Sequence, residues 1–176
     1  FIIACYQRCS VQTKQHCLIL FTQLMFKQIA TASLMTCFAA TGANAGTPEM
    51  YNYLSHSSLV SAVQSTGTIV TYNSIECNRS ILGFYALTSD GRGNITRDEL
   101  GLCIENHKSD LENLSDTLRH EAIHVAQACK GGPITDDIEE VKAIATPAIH
   151  QILTQYSEAH QHVEYEAFVG ARYLSD

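Results

Sequence analysis

Two histidines four residues apart, His120 and His124, and the glutamate that follows the first of them are the residues best suited to chemistry. On a helix, positions four apart project side by side, so both imidazoles can bind one metal ion. Glu121 lies beside them, where its carboxylate can hold a water molecule instead of the metal. The segment from His120 to His124 therefore matches the H-E-x-x-H pattern, in which two histidines bind zinc and the glutamate is the general base. The intervening glutamate disfavours the alternative, two solvent-exposed histidines on a helix face.

The surrounding residues predict a helix that carries this segment. Ser109 and Glu112 have the spacing of a capping box, and Gly131-Gly132-Pro133 predicts the helix end. At about 100° per residue, apolar side chains fall on one face, and His120 and His124 fall on nearly the opposite one. We therefore expect one face to pack into a core and the other to line a cleft. The apolar face comprises Leu111, Leu114, Leu118, Ala122, Val125 and Cys129.

A tetrahedral zinc site of this kind needs a third protein ligand and leaves its fourth position for water. The candidates are Glu164 and Glu166, near the end of the sequence. The helical wheel places Glu164 within a broad apolar face and Glu166 outside its edge. A glutamate among apolar neighbours is costly unless it is paired or binds a metal, so we expect Glu164 to be the ligand, with Glu166 as the alternative. This apolar face comprises Leu153, Val163, Ala167, Phe168, Ala171 and Leu174.

Both segments resemble those of known zinc peptidases. The stretch from Leu118 to Gln127 resembles the active-site helix of gluzincin-type peptidases. Glu164-Tyr165-Glu166-Ala167 is similar to the E-x-E-A signature of the CAAX-prenyl endopeptidase and ImmA/IrrE-like families. In those families the first glutamate of the signature binds zinc, which again points to Glu164. They usually have Asp or Asn after the alanine, whereas this chain has Phe168. We therefore expect that the residues which contact the metal ligands differ from those of these families.

The resemblance implies a zinc-dependent metallopeptidase with Zn²⁺ as its cofactor and a peptide or protein as its substrate. In such an enzyme a zinc-bound water, activated by Glu121, attacks the peptide bond, and Glu121 then passes the proton to the leaving amine. A donor for the oxyanion is also expected, and Tyr156, His160 and His162 are candidates. The alternative is a non-catalytic zinc-binding module of the same fold, which a loss of the role of Glu121 would mark.

The elements around the motif predict an α+β fold. Strands come first and helices follow, a segregated order that is typical of α+β domains. The resemblance further implies a minimal zincin-like domain, in which the strand over 100–105 is the edge strand that holds an extended peptide. The predicted elements are a helix over 47–64, strands over 68–72, 81–87 and 99–105, the helix from Ser109, and helices over 136–146 and 147–174.

The turn between the last two strands offers a competing interpretation. Residues from Asp90 to Leu100 resemble the second half of an EF-hand calcium loop. The loop's first ligand position is Thr88, however, and its fifth is Arg92, where a cation repels calcium. We therefore expect a hairpin loop over 88–99 and treat a calcium-binding domain as the less favoured alternative.

The region before residue 46 resembles a secretory signal. We interpret residues 1–24 as an upstream segment outside the fold and 25–45 as a signal peptide, with an apolar run over 29–41 and the small-x-small site Ala43-Asn44-Ala45. The apolar run is too short for a transmembrane helix of about 20 residues, so no stable membrane partner is expected. The sequence thus predicts one exported domain over 46–176, periplasmic or secreted after cleavage near Ala45.

Charge and cysteine content narrow the function further. The chain has a net charge of −7, and because no acidic residue precedes Glu49, all of its acidic residues lie in the predicted domain. This negative charge argues against nucleic-acid binding, because phosphate contacts need a basic face. After cleavage Cys77, Cys103 and Cys129 remain. In an oxidising compartment we expect one disulfide, with its pairing open. A three-cysteine zinc site is disfavoured because no C-x-x-C pair is present.

Overall fold

A computed structural model of the chain describes residues 46–78 and 80–173. The predicted upstream segment, the predicted signal peptide and Leu174 of the predicted last helix lie outside these residues. Within the described part the chain forms six α-helices and one three-stranded sheet, which confirms the predicted α+β class. None of the described helices is both long and apolar enough to cross a membrane.

The first helical segment is two helices instead of the predicted single one. Helices α1 (Pro48–His56) and α2 (Ser58–Ser65) meet at Ser57, whose backbone is extended. The Ser57 hydroxyl accepts a hydrogen bond from the backbone N–H of Val60 (3.3 Å), so this residue ends α1 and caps α2. A serine between two apolar stretches can cap a helix as well as continue one, and here the cap prevails.

The sheet consists of β1 (Ile69–Tyr72), β2 (Gly83–Ser89) and β3 (Ile95–Leu102), in the order β1-β3-β2. Strand β3 is parallel to β1 and antiparallel to β2. It begins and ends earlier than predicted, and a 3₁₀-helix over Ile104–His107 follows it. The prediction that this strand is the edge strand is wrong. Leu100 and Leu102 are fully buried, which fits a central strand, and β2 is the outer strand that contacts the helix of the motif.

The loop between β2 and β3 is a hairpin turn, as predicted. The Asp90 carboxylate accepts from the backbone N–H groups of Arg92 and Asn94, both at 2.8 Å. Glu99, which would be the last calcium ligand, lies within β3 and bonds Thr71 and Arg97 instead. The oxygens that a calcium loop requires therefore do not converge.

Helix α3 (Leu111–Lys130) carries the H-E-x-x-H segment. Asp110 caps it by accepting from the backbone N–H of Asn113 (3.0 Å). The predicted cap Ser109 has a left-handed backbone (φ 70°), so that prediction is wrong by one residue. Gly131, with φ 86°, ends the helix as predicted. The apolar face of α3 packs on α1, α2 and the sheet except for Leu111, which is exposed in the first turn; the buried members are Leu114, Leu118, Ala122 and Val125.

Three further helices follow, α4 (Ile138–Ile144), α5 (Pro147–Leu153) and α6 (Glu158–Gly170). Helix α6 packs against α3, and α4 and α5 pack against α6. The predicted continuous helix over 147–174 is interrupted at residues 154–157. Helix α6 lies close against α3, since a Cβ at Gly170 would lie 2.5 Å from the side chain of Ile123. These helices share a second apolar cluster comprising Val141, Ile149, Leu153, Tyr165 and Val169.

Cys77 and Cys103 form a disulfide with an S–S distance of 2.01 Å, one of the three pairings that the sequence left open. Cys129 lies outside this bond, so a three-cysteine zinc site is excluded for the described residues. The disulfide ties the segment that leads into β2 to the end of β3. Asn106 reinforces this tie because its side-chain amide donates to the carbonyl of Ile81 (2.6 Å).

Candidate metal centre

The contact between α3 and α6 brings His120, His124 and Glu164 together. The Nε2 atoms of the two histidines are 3.2 Å apart. Glu164 places Oε2 at 3.5 Å from Nε2 of His120 and Oε1 at 3.7 Å from Nε2 of His124. Among the described residues, these three form the one group of histidine, cysteine and carboxylate side chains whose ligand atoms converge in this way.

These three distances can be compared with those in a tetrahedral zinc site. With bonds of about 2.0–2.1 Å and tetrahedral angles, two ligand atoms lie about 3.3–3.4 Å from each other. The two nitrogens are 3.2 Å apart, and each lies 3.5 or 3.7 Å from a different oxygen of the Glu164 carboxylate, which is close to this value. Two imidazole nitrogens and a carboxylate also form a donor set that zinc prefers. The arrangement therefore fits a zinc ion held by three protein ligands with one position open.

One buried oxygen of the site lacks a hydrogen-bond partner. Oε2 of Glu164 is buried and accepts no hydrogen bond from the described residues. Such an oxygen costs free energy unless a proton or a cation satisfies it. The two Nε2 atoms face each other at 3.2 Å, so either one donates a hydrogen bond to the other or both lone pairs bind one cation. Burial acts to raise the pKa of Glu164, but the interactions with the nearby imidazoles of His120 and His124 lower it overall.

The orientation of the His124 ring is fixed by a contact to Nδ1, the ring nitrogen that does not face His120 and Glu164. Its Nδ1 lies 2.8 Å from the side-chain oxygen of Gln127. Burial and the charge of His120 lower the pKa of His124, which favours the neutral ring that binds metals. His120 packs instead against the ring of Phe168, with centroids 4.4 Å apart. The residue after the E-x-E-A segment therefore supplies an aromatic contact to a ligand, in line with the expectation of different contacts there.

Glu121 is buried between α3 and the outer strand, with 7% of its surface exposed. Burial raises its pKa to about 7, against the lowering effects of His120 and of a hydrogen bond from the backbone of Tyr85. A bound dication would lower this pKa again, so the value describes the metal-free protein. Gly83 allows this approach, because a Cβ there would lie 3.1 Å from Cγ of Glu121.

A cleft of about 520 Å³ opens beside His120 and Glu121. One wall is the segment from Ser80 to Gly83, which leads into β2 and is fixed by the disulfide. The other walls come from α3, α5 and the end of α6. The cleft has a mixed lining. Its apolar residues are Ile81, Leu82, Ala148, Ile149, Ile152, Tyr156, Phe168 and Ala171, and its polar residues beyond the motif are Ser80, Asn113, Asp116, Thr117 and Arg172.

Glu166, the alternative third ligand, is turned away from the histidines. Its Oε2 accepts from the backbone N–H of Ile134 (2.7 Å) and from the side chain of Gln127 (2.9 Å). Its Oε1 accepts from the backbone N–H of Thr135 (2.6 Å). The prediction that Glu166 lies outside the buried face is wrong, since only 6% of it is exposed. The loop after α3 covers that side of α6, which a helical wheel cannot represent.

The three candidate oxyanion donors lie in different places. Tyr156 lines the cleft together with His120 and Glu121. Burial raises its pKa, and the charges of Glu164 and Glu121 add to the effect. His160 bonds the hydroxyl of Ser157 (3.0 Å), and His162 lies 3.6 Å from the carboxylate of Glu166. Only Tyr156 of the three therefore borders the same cleft as the motif.

Sequence reasoning missed two residues that shape the site. Gln127 lies three residues after His124, so the helical spacing could have identified it as a neighbour of that ligand. Gly83 gave no signal, because its importance depends on how closely β2 passes α3.

Comparisons with known proteins place the chain in a family without assigning it an activity. No curated protein and no solved structure matches the chain. Residues 49–172 match the family model described as Domain of unknown function (DUF8637), and this match includes all the residues of the candidate metal centre. Because the match covers more than half of the chain, the chain belongs to the DUF8637 family.

Proposed function

We propose that this protein is a zinc-dependent metallopeptidase with a minimal zincin-like fold, whose metal ligands are His120, His124 and Glu164. The observation that carries the proposal is the close approach of the two Nε2 atoms and the Glu164 carboxylate, whose buried Oε2 has no hydrogen-bond partner among the described residues. The cleft beside the centre adds a place for a substrate.

Zinc, when bound, acts as a Lewis acid that makes water more acidic and polarises a carbonyl group. Glu121 is the proposed general base, since it follows His120 directly and borders the cleft. Its carboxylate would take the proton from the attacking water and deliver it to the leaving amine. The buried position keeps bulk water from the carboxylate, which strengthens its interaction with the reacting groups.

The outer strand β2 is the proposed support for an extended peptide. The segment from Ser80 to Gly83 lines the cleft and leads directly into this strand. The resemblance implied that the strand over 100–105 holds an extended peptide, and we assign this role to β2 instead. Tyr156 is the proposed donor to the developing oxyanion, because it is the candidate that borders the cleft.

A matched pair of variants on α3 tests the catalytic role. Glu121→Gln preserves shape and removes the base, and Glu112→Gln makes the same change at an exposed position of the same helix. We expect Glu121→Gln to retain zinc and lose turnover of a peptide library, whereas Glu112→Gln retains both. Turnover that persists in Glu121→Gln would contradict the proposed mechanism.

The non-catalytic zinc module is the second candidate, and the same experiment separates it from the first. It predicts a stoichiometric zinc ion in the parent protein and no peptide turnover with any substrate. The cleft beside His120 and Glu121 favours the peptidase, because a purely structural zinc site is normally closed by four protein ligands.

A further inference from the structure

A chain of hydrogen bonds leads from Glu166 through Gln127 to His124. The Gln127 side-chain nitrogen donates to Oε2 of Glu166 (2.9 Å) and to the backbone carbonyl of Val163 (2.8 Å). Its side-chain oxygen lies 2.8 Å from Nδ1 of His124. Gln127 and Glu166 are both buried, with 5% and 6% of their surfaces exposed. The hydrogen bond between these two side chains is therefore shielded from water.

The identity of each atom in this chain follows from its neighbours. A carboxylate and a backbone carbonyl accept hydrogen bonds only, so the Gln127 atom that faces Glu166 and Val163 must be the NH₂ group. The oxygen of the same amide then faces His124 and can only accept. In the neutral ring, Nδ1 of His124 must therefore carry the proton, and Nε2 keeps its lone pair.

Glu166 is itself fixed independently of Gln127. The backbone N–H groups of Ile134 and Thr135, in the loop after α3, donate to its two oxygens. Since each of these oxygens already faces a backbone N–H donor, neither is placed to donate a hydrogen bond to Gln127. The carboxylate thus sets the orientation of the Gln127 amide, and the amide sets the proton position on His124.

We propose that Glu166 and Gln127 are positioning residues of the metal centre, which hold His124 with its proton on Nδ1 and its Nε2 lone pair directed at the metal. The inference rests on the proposed zinc site and deepens it. It also assigns a role to Glu166, the second glutamate of the E-x-E segment. Instead of binding the metal, this carboxylate accepts hydrogen bonds from the loop after α3 and from Gln127. Groups behind metal ligands typically contribute 10- to 100-fold in metal affinity, about the effect expected here.

The test reads the His124 tautomer in the metal-free full chain and zinc affinity in the same samples. Long-range ¹H–¹⁵N spectra of the imidazoles at about pH 8, where histidines are mostly neutral, distinguish Nδ1–H from Nε2–H. The His124→Gln variant identifies the signal. We expect Nδ1–H in the parent, loss of this preference in Gln127→Leu and Glu166→Gln, and zinc binding about 10- to 100-fold weaker in both variants.

Gln161→Leu is the matched control, because it removes another half-buried amide that bonds carbonyls of Leu153 and Tyr156 and does not contact His124. It should leave tautomer and zinc affinity unchanged. An Nε2–H tautomer of His124 in the parent would overturn the inference, and this result does not require any variant to fold. An unchanged tautomer in folded Gln127→Leu would overturn it as well. Absence of zinc binding in the parent would instead overturn the proposed function, since the tautomer is measured without metal.

Discussion

The contact between β2 and α3 gives the sharpest prediction that involves no metal ligand. Gly83 lies so close to α3 that an added Cβ would be 2.6 Å from Cγ2 of Thr117 and 3.1 Å from Cγ of Glu121. The carbonyl oxygen of Gly101, in the neighbouring strand, is at 3.2 Å. The first distance is well inside van der Waals contact, so Gly83→Ala must displace the strand, the helix or both side chains.

The expected cost follows from overpacking. Inserting a methyl group into a close-packed region typically costs about 1–3 kcal/mol, which for a domain of this size lowers Tm by several degrees. Glu121 is one of the two side chains that the added methyl group presses on, directly or through a shift of the strand or helix. A displacement of about 1 Å at a catalytic group can reduce the rate about 100-fold, so activity should fall more than stability alone would explain.

Gly91→Ala is the matched control. It is a second glycine of the same hairpin, at the turn, and an added Cβ there would meet nothing within 4 Å. Thermal unfolding and peptide turnover should therefore be close to the parent in Gly91→Ala and both reduced in Gly83→Ala. Equal Tm values for Gly83→Ala and the parent would refute the close approach of β2 to α3 on which the position of Glu121 depends.

Three further outcomes are expected. Tyr156→Phe should lower kcat about 100-fold or more with zinc content unchanged, as measured by turnover and metal analysis, because it removes the proposed oxyanion donor; an unchanged kcat would exclude that role. Cys77→Ser should lower the free energy of unfolding by about 2–4 kcal/mol in denaturant titrations, because it removes the disulfide. It should also reduce turnover, because the disulfide fixes the cleft wall at Ser80 to Gly83. An unchanged free energy of unfolding would contradict this. Zinc at 100 times its Kd should stabilise the protein by about 2.7 kcal/mol and a chelator should reverse this, whereas the same zinc excess should not stabilise His124→Gln to that extent.

Much of the site follows from the sequence because helical spacing is a local property. His120, Glu121 and His124 lie on one helix, so their mutual positions depend on few residues and were predictable. Glu164 also converges with them, as the resemblance and its apolar surroundings suggested. The strands and most helices were found for the same reason, since each pattern is confined to one segment.

The errors come from contacts between segments. The strand before α3 is central because β1 pairs with its free side, and no pattern within 95–102 encodes that partner. Glu166 is buried because the loop at Ile134 and Thr135 folds over it, although the helical wheel puts it outside the apolar face. Breaks at Ser57 and at residues 154–157 depend on competition between capping and helix continuation, which tertiary packing decides.

Zinc content with a matched pair of glutamate variants tests the central claim most directly. Glu164→Gln removes the charge at the unpartnered carboxylate, and Glu158→Gln makes the same change at an exposed position of the same helix, α6. The account predicts about one zinc per chain in the parent and in Glu158→Gln, and markedly weaker binding in Glu164→Gln at unchanged fold. A folded parent that binds no zinc, or a Glu164→Gln variant that binds it as tightly as the parent, would contradict the His120, His124 and Glu164 centre.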